Sequence, residues 1–467
     1  MTVNGLPNLA RPDSHNKTNP KPAAPCSPRL PPATLLAMNS QTDSGSRALH
    51  EQWLLALTAI PTAAGRERRV VEWIHEWASE RPDLSLTADR FGNLTIEHTE
   101  ASSATERPFY ITAHLDHPAF VVESIEGNTL HLSFRGGVLD PYFANRPPIV
   151  LFTDDDRPIR AVVTSSDKST KPFRTASAEL ASGESLEGLA PGDIGRWDFP
   201  EPEVKAETAK PGMHAGRVLY THACDDLAAV SAALCAIDGL RDEPKSRHVR
   251  LLFTRAEEIG FVGAIAACRE KLLPRDGRYV LLENSRSFPE SPIGGGPIVR
   301  VGDRMSTFSP ALTAGIAKVA EDLSKADGEQ READPGQIES TAGVKAPGFK
   351  WQRKLMPGGA CESTTYMAYG YESTCLCLPL GNYHNMADLQ AVQDEEADAI
   401  ANARPGREHI AINDYHNLVR LLIACGTKLT EVEAPVDTME KLFAERSFVL
   451  TRATTPDPEE VPALRED

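Results

Sequence analysis

The chain has 467 residues, 41% hydrophobic and 25% charged, which is too long for one domain of about 150 residues and too apolar for global disorder. Its 49 basic and 66 acidic residues leave a net charge of −17, which argues against a nucleic-acid or anionic-membrane partner, since either selects a basic face. No apolar run reaches the roughly 18 residues of a membrane span, and eight cysteines without disulfide-like spacing point to free thiols and a cytoplasmic protein.

In chain order, residues 1–45 hold little that could form a core. Pro7 to Pro32 is proline-rich and polar, so a disordered extension is expected, with Met38 as an alternative start. Leu49, Trp53, Leu54 and Leu57 recur at helical spacing until Pro61. Val70, Val71, Ile74 and Trp77 predict a second helix over 65–80, and short strands follow at 84–88, 94–97 and 109–113. From Ser124 to Gly216, short alternating pieces separated by Gly, Pro and Asp turns predict strands only. Helix and strand then alternate over 226–240, 249–254, 260–272 and 279–282. A hydrophilic stretch, 321–350, reads as a loop insertion; a buried strand at 374–380 and an amphipathic helix at 413–425 complete the pattern.

This alternation predicts an α/β fold, a doubly wound, mostly parallel sheet interrupted by an inserted β-rich, barrel-like domain. The expected divisions are an extension at 1–45, a catalytic domain at 46–123 and 217–453, an insert at 124–216 and a disordered tail at 454–467.

Histidines and carboxylates cluster where those elements end. His114 and Asp116 follow one predicted strand, Asp225 precedes a helix, Glu257 and Glu258 follow the strand 249–254, Glu283 closes another, and His384 comes four residues after 374–380. In an open α/β sheet that edge is where ligand sites form. The set suits two divalent cations, each anchored by one imidazole, His114 or His384, with Glu258 and Glu283 adding oxygen and Asp225 able to bridge. Two such ions about 3.5–4 Å apart activate a shared water, and a free carboxylate beside it must carry the proton. Glu257 fits that task, and Asp116 could orient the His114 ring.

These residues resemble the co-catalytic zinc exopeptidases, most closely the glutamyl aminopeptidase and deblocking aminopeptidase family that builds tetrahedral particles. The likeness runs through Ile60-Pro61 to Gly65, Asp89-Arg90-Phe91-Gly92-Asn93, His114-Leu115-Asp116, Asp225-Asp226, Glu257-Glu258-Ile259-Gly260-Phe261-Val262-Gly263-Ala264, Pro357-Gly358-Gly359 and Tyr383-His384. The insert, ending in Pro191-Gly192-Asp193-Ile194, matches the family's second domain in place and size. The resemblance implies metal ligands at His114, Asp225, Glu258, Glu283 and His384, with Asp225 bridging, and a general base at Glu257. It also implies a cis bond between Asp225 and Asp226, two divalent metals (zinc first, cobalt or manganese as alternatives), peptide substrates with a free N-terminus, and a homo-oligomer.

The chain departs from the family at His117-Pro118-Ala119, at Ala360-Cys361-Glu362 after the paired glycines, and at Gly381-Asn382, where an arginine is usual. Glu362 is a candidate anchor for the substrate α-amine. His117 and His222 read as loop or core histidines, and Cys361, Cys375 and Cys377 as small buried hydrophobes. Two rival readings stand beside the aminopeptidase. One is a deacylase or carboxypeptidase-like amidohydrolase of the same clan, using Arg255, Arg286 or Arg300 for a substrate carboxylate. The other is a non-catalytic binding or assembly relative.

Overall fold

The computed structural model describes residues 42–333, 348–429 and 435–451. The expectations for most of the extension, for the tail, and for the middle of 321–350 lie outside them. Helix α1 (Thr42–Ala59) opens the described chain, and so begins inside the span assigned to the extension; Thr42-Asp43-Ser44 is a run of helix-start residue types. Helix α2 (Arg68–Ser79) follows, then strands β1 (Leu84–Ala88), β2 (Leu94–His98) and β3 (Phe109–His114). The chain next leaves the sheet for β4 (Ala119–Glu126), β5 (Thr129–Arg135), β6 (Pro148–Phe152), β7 (Pro158–Asp167), β8 (Arg174–Leu180) and β9 (Ile194–Trp197), which close into a barrel.

Beyond the barrel come β10 (Glu203–Glu207), β11 (Gly216–Thr221), helix α3 (Leu227–Leu240), β12 (Val249–Thr254), α4 (Val262–Arg269), β13 (Arg278–Arg286) and β14 (Ile298–Gly302). Then follow α5 (Pro310–Ala333), β15 (Gln352–Leu355), α6 (Glu362–Ala368), β16 (Glu372–Leu380), α7 (Leu389–Gln393), α8 (Ala397–Ala401), β17 (Glu408–Ala411), α9 (Ile412–Lys428) and α10 (Pro435–Arg446). The main sheet has the order β1-β2-β12-β3-β13-β16-β14-β15, with β12, β3, β13 and β16 mutually parallel at its centre.

Period-two alternation places the two layers. Phe109 and Ile111 of β3 join a core with α1, α2, α3 and α9, while Tyr110 between them stacks on Tyr279 and packs with Ala264 and Ala267 of α4 and Tyr366 of α6. Helices therefore cover both faces, as the doubly wound reading requires. Nearly every α3 side chain is buried, because its Ala, Ser and Cys residues let neighbours approach from all sides.

Two expectations differ from the structure. The barrel strands span Ala119 to Trp197, whereas the insert was placed at 124–216; β10 and β11 instead form a separate three-stranded sheet with β17. The stretch read as a loop from residue 321 begins as helix, since α5 continues to Ala333. Hydrophilic Glu, Lys and Gln residues, like Ala, are good helix formers, so polarity alone concealed it.

The barrel core of Phe120, Phe134, Tyr142, Phe143 and Trp197 also takes in Met386, Leu389, Val392 and Ala403 from the segment after β16. That segment carries His384, so the barrel helps to fix it.

Candidate metal centre

Strand register delivers the ligands. His114 ends β3 opposite Thr254 of β12, and the chain leaving β12 carries Glu257 and Glu258 past it. Strand β13 pairs with β3 only as far as Leu281↔Thr112 but stays paired with β16 to Arg286↔Leu380. Glu283 therefore lies inside a strand that the sequence reading ended at Leu282, on a stretch that β3 no longer flanks. His384 sits in a short 3-10 turn, Tyr383–Asn385, with a left-handed φ of 54°. The bond between Asp225 and Asp226 is cis.

Asp225 faces both histidines. Its Oδ1 is 3.3 Å from His114 Nε2, and its Oδ2 is 3.4 Å from His384 Nε2. Glu258 Oε2 lies 3.3 Å from the same His384 nitrogen. Three donor groups result among the described residues, His114-Asp225-Glu283, Asp225-Glu258-His384 and His114-Glu257-Glu258, and within each the donor atoms lie within 4.8 Å of one another; the first two share Asp225 and divide the two histidines between them. The residues fit metal binding by an independent criterion. His114 Nε2, Asp225 Oδ1, Glu258 Oε1 and Glu283 Oε2 are all buried without a hydrogen-bond partner, an arrangement that costs free energy unless a ligand completes it. Burial, and then the charges of Asp225 and Glu257, push Glu258 and Glu283 well above the usual carboxylate range. A concentrated positive charge is what this cluster lacks.

Both rings present the correct nitrogen. His384 Nδ1 donates to the carbonyl of Gly137, from the barrel, at 2.7 Å, and His114 Nδ1 donates to the carbonyl of Asp116 at 3.1 Å. Each Nε2 is thereby left with its lone pair toward the site. The carboxylate of Asp116, expected to orient His114, is 3.6 Å from that ring and takes another role. It accepts the main-chain N–H groups of Glu257 and Glu258 at 2.9 and 3.0 Å, fixing the dipeptide. Glu257 Oε2 stands 3.9 Å from His114 Nε2.

Glu362, the candidate amine anchor, does not line the cavity itself. It is fully buried at the start of α6, with Oε2 accepting from the Thr254 hydroxyl at 2.8 Å, while Gly358, Gly359 and Ala360 form the cavity wall. Because the α6 turn directs it inward, it stands behind the site rather than in the cavity; burial pushes its pKa to about 7. His117 and His222 are also buried behind the site, in edge contact, with His117 Nδ1 on the Asp225 carbonyl. Cys361, Cys375 and Cys377 are buried and free.

Two carboxylates that hold this geometry, Glu67 and Glu408, carry no local signal, and a third, Asp226, is marked in the sequence only as the neighbour of Asp225. Glu67 accepts from Gly65 N–H and Ala256 N–H at 2.7 and 3.0 Å and pairs with Arg255. Asp226 and Glu408 bind main-chain groups of the ligand loops. Glu408 meets main-chain N–H groups 24 to 184 residues away, Glu67 meets Ala256 N–H 189 residues away and the Arg255 side chain, and Asp226 meets His114 N–H and the Asn284 amide, so these contacts are not legible locally.

A cavity of about 530 Å³ opens on Glu283 and His384. Its wall includes Phe288, Met356, Arg286, Arg300 and Arg304. Arg300 is 3% exposed and bonded only to Ser285 Oγ and main-chain oxygens; Arg286 is held by Gln390 and Gln393. None of the three makes an ion pair among the described residues.

Residues 204–325, just over a quarter of the chain, match the family model described as M42 glutamyl aminopeptidase. The fold extends the likeness. A TET aminopeptidase from a Thaumarchaeota archaeon superposes with a TM-score of 0.59 at 18% identity, covering 82% of this chain and 97% of that one. The chain has the M42 aminopeptidase fold. An aminopeptidase from Desulfurococcus kamchatkensis (TM-score 0.58, 20% identity, 81% and 94% covered) and the Pyrococcus horikoshii TET1 peptidase (0.57, 19%, 81% and 99%) agree. No curated protein matches the sequence. The resemblance to the co-catalytic zinc exopeptidases thus holds, with the α/β sheet and the closed barrel in place.

Proposed function

We propose that this M42-type chain is a dinuclear metal-dependent aminopeptidase. The observation that carries the reading is Asp225, whose two oxygens each face a different histidine and whose Oδ1 has no hydrogen-bond partner. His114, Asp225 and Glu283 would hold one cation, and Asp225, Glu258 and His384 the other; the imidazole-carboxylate donor set suits zinc, with cobalt or manganese as alternatives. Such a pair supplies a Lewis acid for the scissile carbonyl and a water acidic enough to lose its proton near neutral pH.

The chain's own groups do the rest. Asp116 holds the main chain of Glu257, which keeps that carboxylate beside the centre. Glu257 takes the proton from the attacking water and returns it to the leaving amine. Burial, and the charges of Glu362, Asp116 and Asp225, raise its proton affinity well above that of a free glutamate, which favours taking the proton from the water. Glu362, whose Oε1 is buried without a hydrogen-bond partner, stays the candidate anchor for the substrate α-amine.

The arginines bear on the substrate. Arg300 makes no ion pair among the described residues and feels Glu283 only from a distance, so it favours a substrate that brings a carboxylate into the cavity. The same feature supports the deacylase or carboxypeptidase-like reading, whose substrates carry a free carboxylate. Arg255 is removed from that role by its 2.7 Å pair with Glu67. For a non-catalytic relative no observation speaks, since every ligand type and the base are present.

Peptides with a free N-terminus are the proposed substrates, and a homo-oligomer the proposed state. The Pyrococcus horikoshii TET1 peptidase is described as assembling into a tetrahedron or an octahedral shell, and α10 here exposes Val436, Met439 and Phe443. A cytoplasmic setting is supported by seven described cysteines that are free and buried, and no described helix is long and apolar enough to cross a membrane.

Hydrolysis of aminoacyl-anilides and N-acylamino acids with added zinc, cobalt or manganese tests the reading. Metal-dependent release from free-amine substrates is expected. Cleavage of blocked substrates alone would transfer the assignment to the deacylase.

A further inference from the structure

We infer that two buried carboxylates, Glu408 and Asp226, are positioning residues that serve the two cation positions separately. The inference rests on the dinuclear reading above. Glu408 lies on β17, in the small sheet beside the main one, and is fully buried. Its Oε2 accepts the main-chain N–H groups of Cys224 at 2.8 Å and Asp225 at 3.0 Å, and its Oε1 accepts that of His384 at 2.8 Å. One carboxylate thus joins the loop after β11 to the loop after β16, and Asp225 to the histidine that belongs to only one position.

Asp226 does the corresponding work on the other side. Its Oδ2 accepts the main-chain N–H of His114 at 3.3 Å, and its Oδ1 accepts from the Asn284 amide at 2.8 Å, next to Glu283. Apart from the shared Asp225, neither carboxylate hydrogen-bonds, among the described residues, to main-chain or side-chain groups of the other position's ligands. The two clamps share the loop after β11, which carries both Asp225 and Asp226, but they reach from it to different elements: Asp226 to β3 and β13, and Glu408 to the loop after β16 that holds His384.

A cation imposes fixed distances on its ligands, so a ligand that is free to move must be ordered at the cost of affinity; outer partners that pre-order it recover that affinity. Three N–H groups on one carboxylate cannot all be satisfied by an amide. In Glu408→Gln the single amide oxygen best serves the adjacent Cys224 and Asp225 donors, which turns the NH2 toward His384 N–H. The loss should therefore fall on the position containing His384.

The test uses apo-protein and zinc, with dissociation constants measured by competition against a chromogenic chelator and melting curves as the control for folding. His114→Ala leaves the Asp225-Glu258-His384 position, and His384→Ala leaves His114-Asp225-Glu283. Glu408→Gln should weaken zinc about 10–100-fold in the His114→Ala background and by less than about threefold in the other. Asp226→Ala should show the reverse pattern. Equal losses in both backgrounds, or none in either, would overturn the inference and leave the carboxylates as general scaffold. Should Glu408→Gln not fold, the Asp226→Ala arm decides by the same criterion. A wild-type chain that binds one zinc would defeat the dinuclear reading itself, which stoichiometry on the unmutated protein reveals independently.

Discussion

Asn93 and Gly263 are 170 residues apart, yet the Asn93 amide donates to the Gly263 carbonyl at 3.1 Å. Asn93 Oδ1 also accepts from Arg255 N–H at 3.2 Å, so one side chain fastens both ends of the loop that carries Glu257 and Glu258. Two motifs that look unrelated in the sequence, Asp89 to Asn93 and Glu257 to Ala264, are halves of one clamp.

The contact gives Gly263 its reason. A Cβ there would lie 2.5 Å from the Arg255 carbonyl and 2.6 Å from Asn93 Oδ1. Main-chain atoms cannot yield as a flexible side chain does, so Gly263→Ala should destabilise the protein by about 1–3 kcal/mol and displace the base loop. Chemical denaturation would measure the first and kcat the second. A variant as stable and active as wild type would mean that the loop relaxes freely.

Glu257→Ala should keep the fold and the bound metal while kcat falls by about 100-fold or more, the usual worth of a positioned base. Metal content by elemental analysis separates this from loss of a ligand. Retention of near-normal kcat with normal metal content would require another base.

Arg300→Met keeps the side chain's bulk and removes its charge. Loss of a buried charge-assisted contact costs about 1.5–3 kcal/mol, which corresponds to roughly 10–100-fold in kcat/KM for a substrate that places a carboxylate there. A glutamyl-anilide compared with its glutaminyl counterpart, together with an N-acylamino acid, shows which carboxylate is read. A uniform change across all substrates would make Arg300 a packing residue.

On the proposed reading, a chelator should lower Tm, since it leaves Asp225, Glu258 and Glu283 crowded in one buried cluster with only two imidazoles to offset them. Restoration by zinc, followed by melting curves, is expected. A Tm that ignores chelator would separate metal from folding.

Far from the centre, Glu51 of α1 accepts from Arg217 at 2.8 and 2.6 Å and from His416 at 3.0 Å. Burial would raise its pKa, but the hydrogen bonds from His416 and Arg217 outweigh it and hold the carboxyl at about 2. Because the folded value lies below the unfolded one near 4.5, this stabilisation is present above about pH 4.5 and is lost as pH falls toward 2. Glu51→Gln should thus lower Tm at neutral pH, and the gap from wild type should close on acidification. A pH-independent gap would assign the effect to packing.

Much of the fold was legible in residue order. The helical spacing of Val70, Ile74 and Trp77 gave α2, and the alternation of strand and helix after residue 217 gave the sheet. His114, Asp225, Glu257, Glu258, Glu283 and His384 could be singled out because strand ends are local features, recognisable from an apolar run and the polar residue after it. The structure brings all six to one place. The buried placement of Glu362 was not legible, because its neighbourhood in the chain says nothing about which way the α6 turn directs it.

Local periodicity and ligand-type residues at element ends depend on near neighbours, so the chain's order alone carried them: the α/β class, the β-rich insert and the donor set. Register, the clamps and the cavity charge depend on contacts across more than a hundred residues, and only the packed molecule decided them. Strand β3 must stop before β13 does for Glu283 to reach the site. Asp226 and Asp116 must meet main-chain N–H groups about 110 and 140 residues away to hold His114 and Glu257. Such partners have no side-chain identity, and so they leave no trace in the letters.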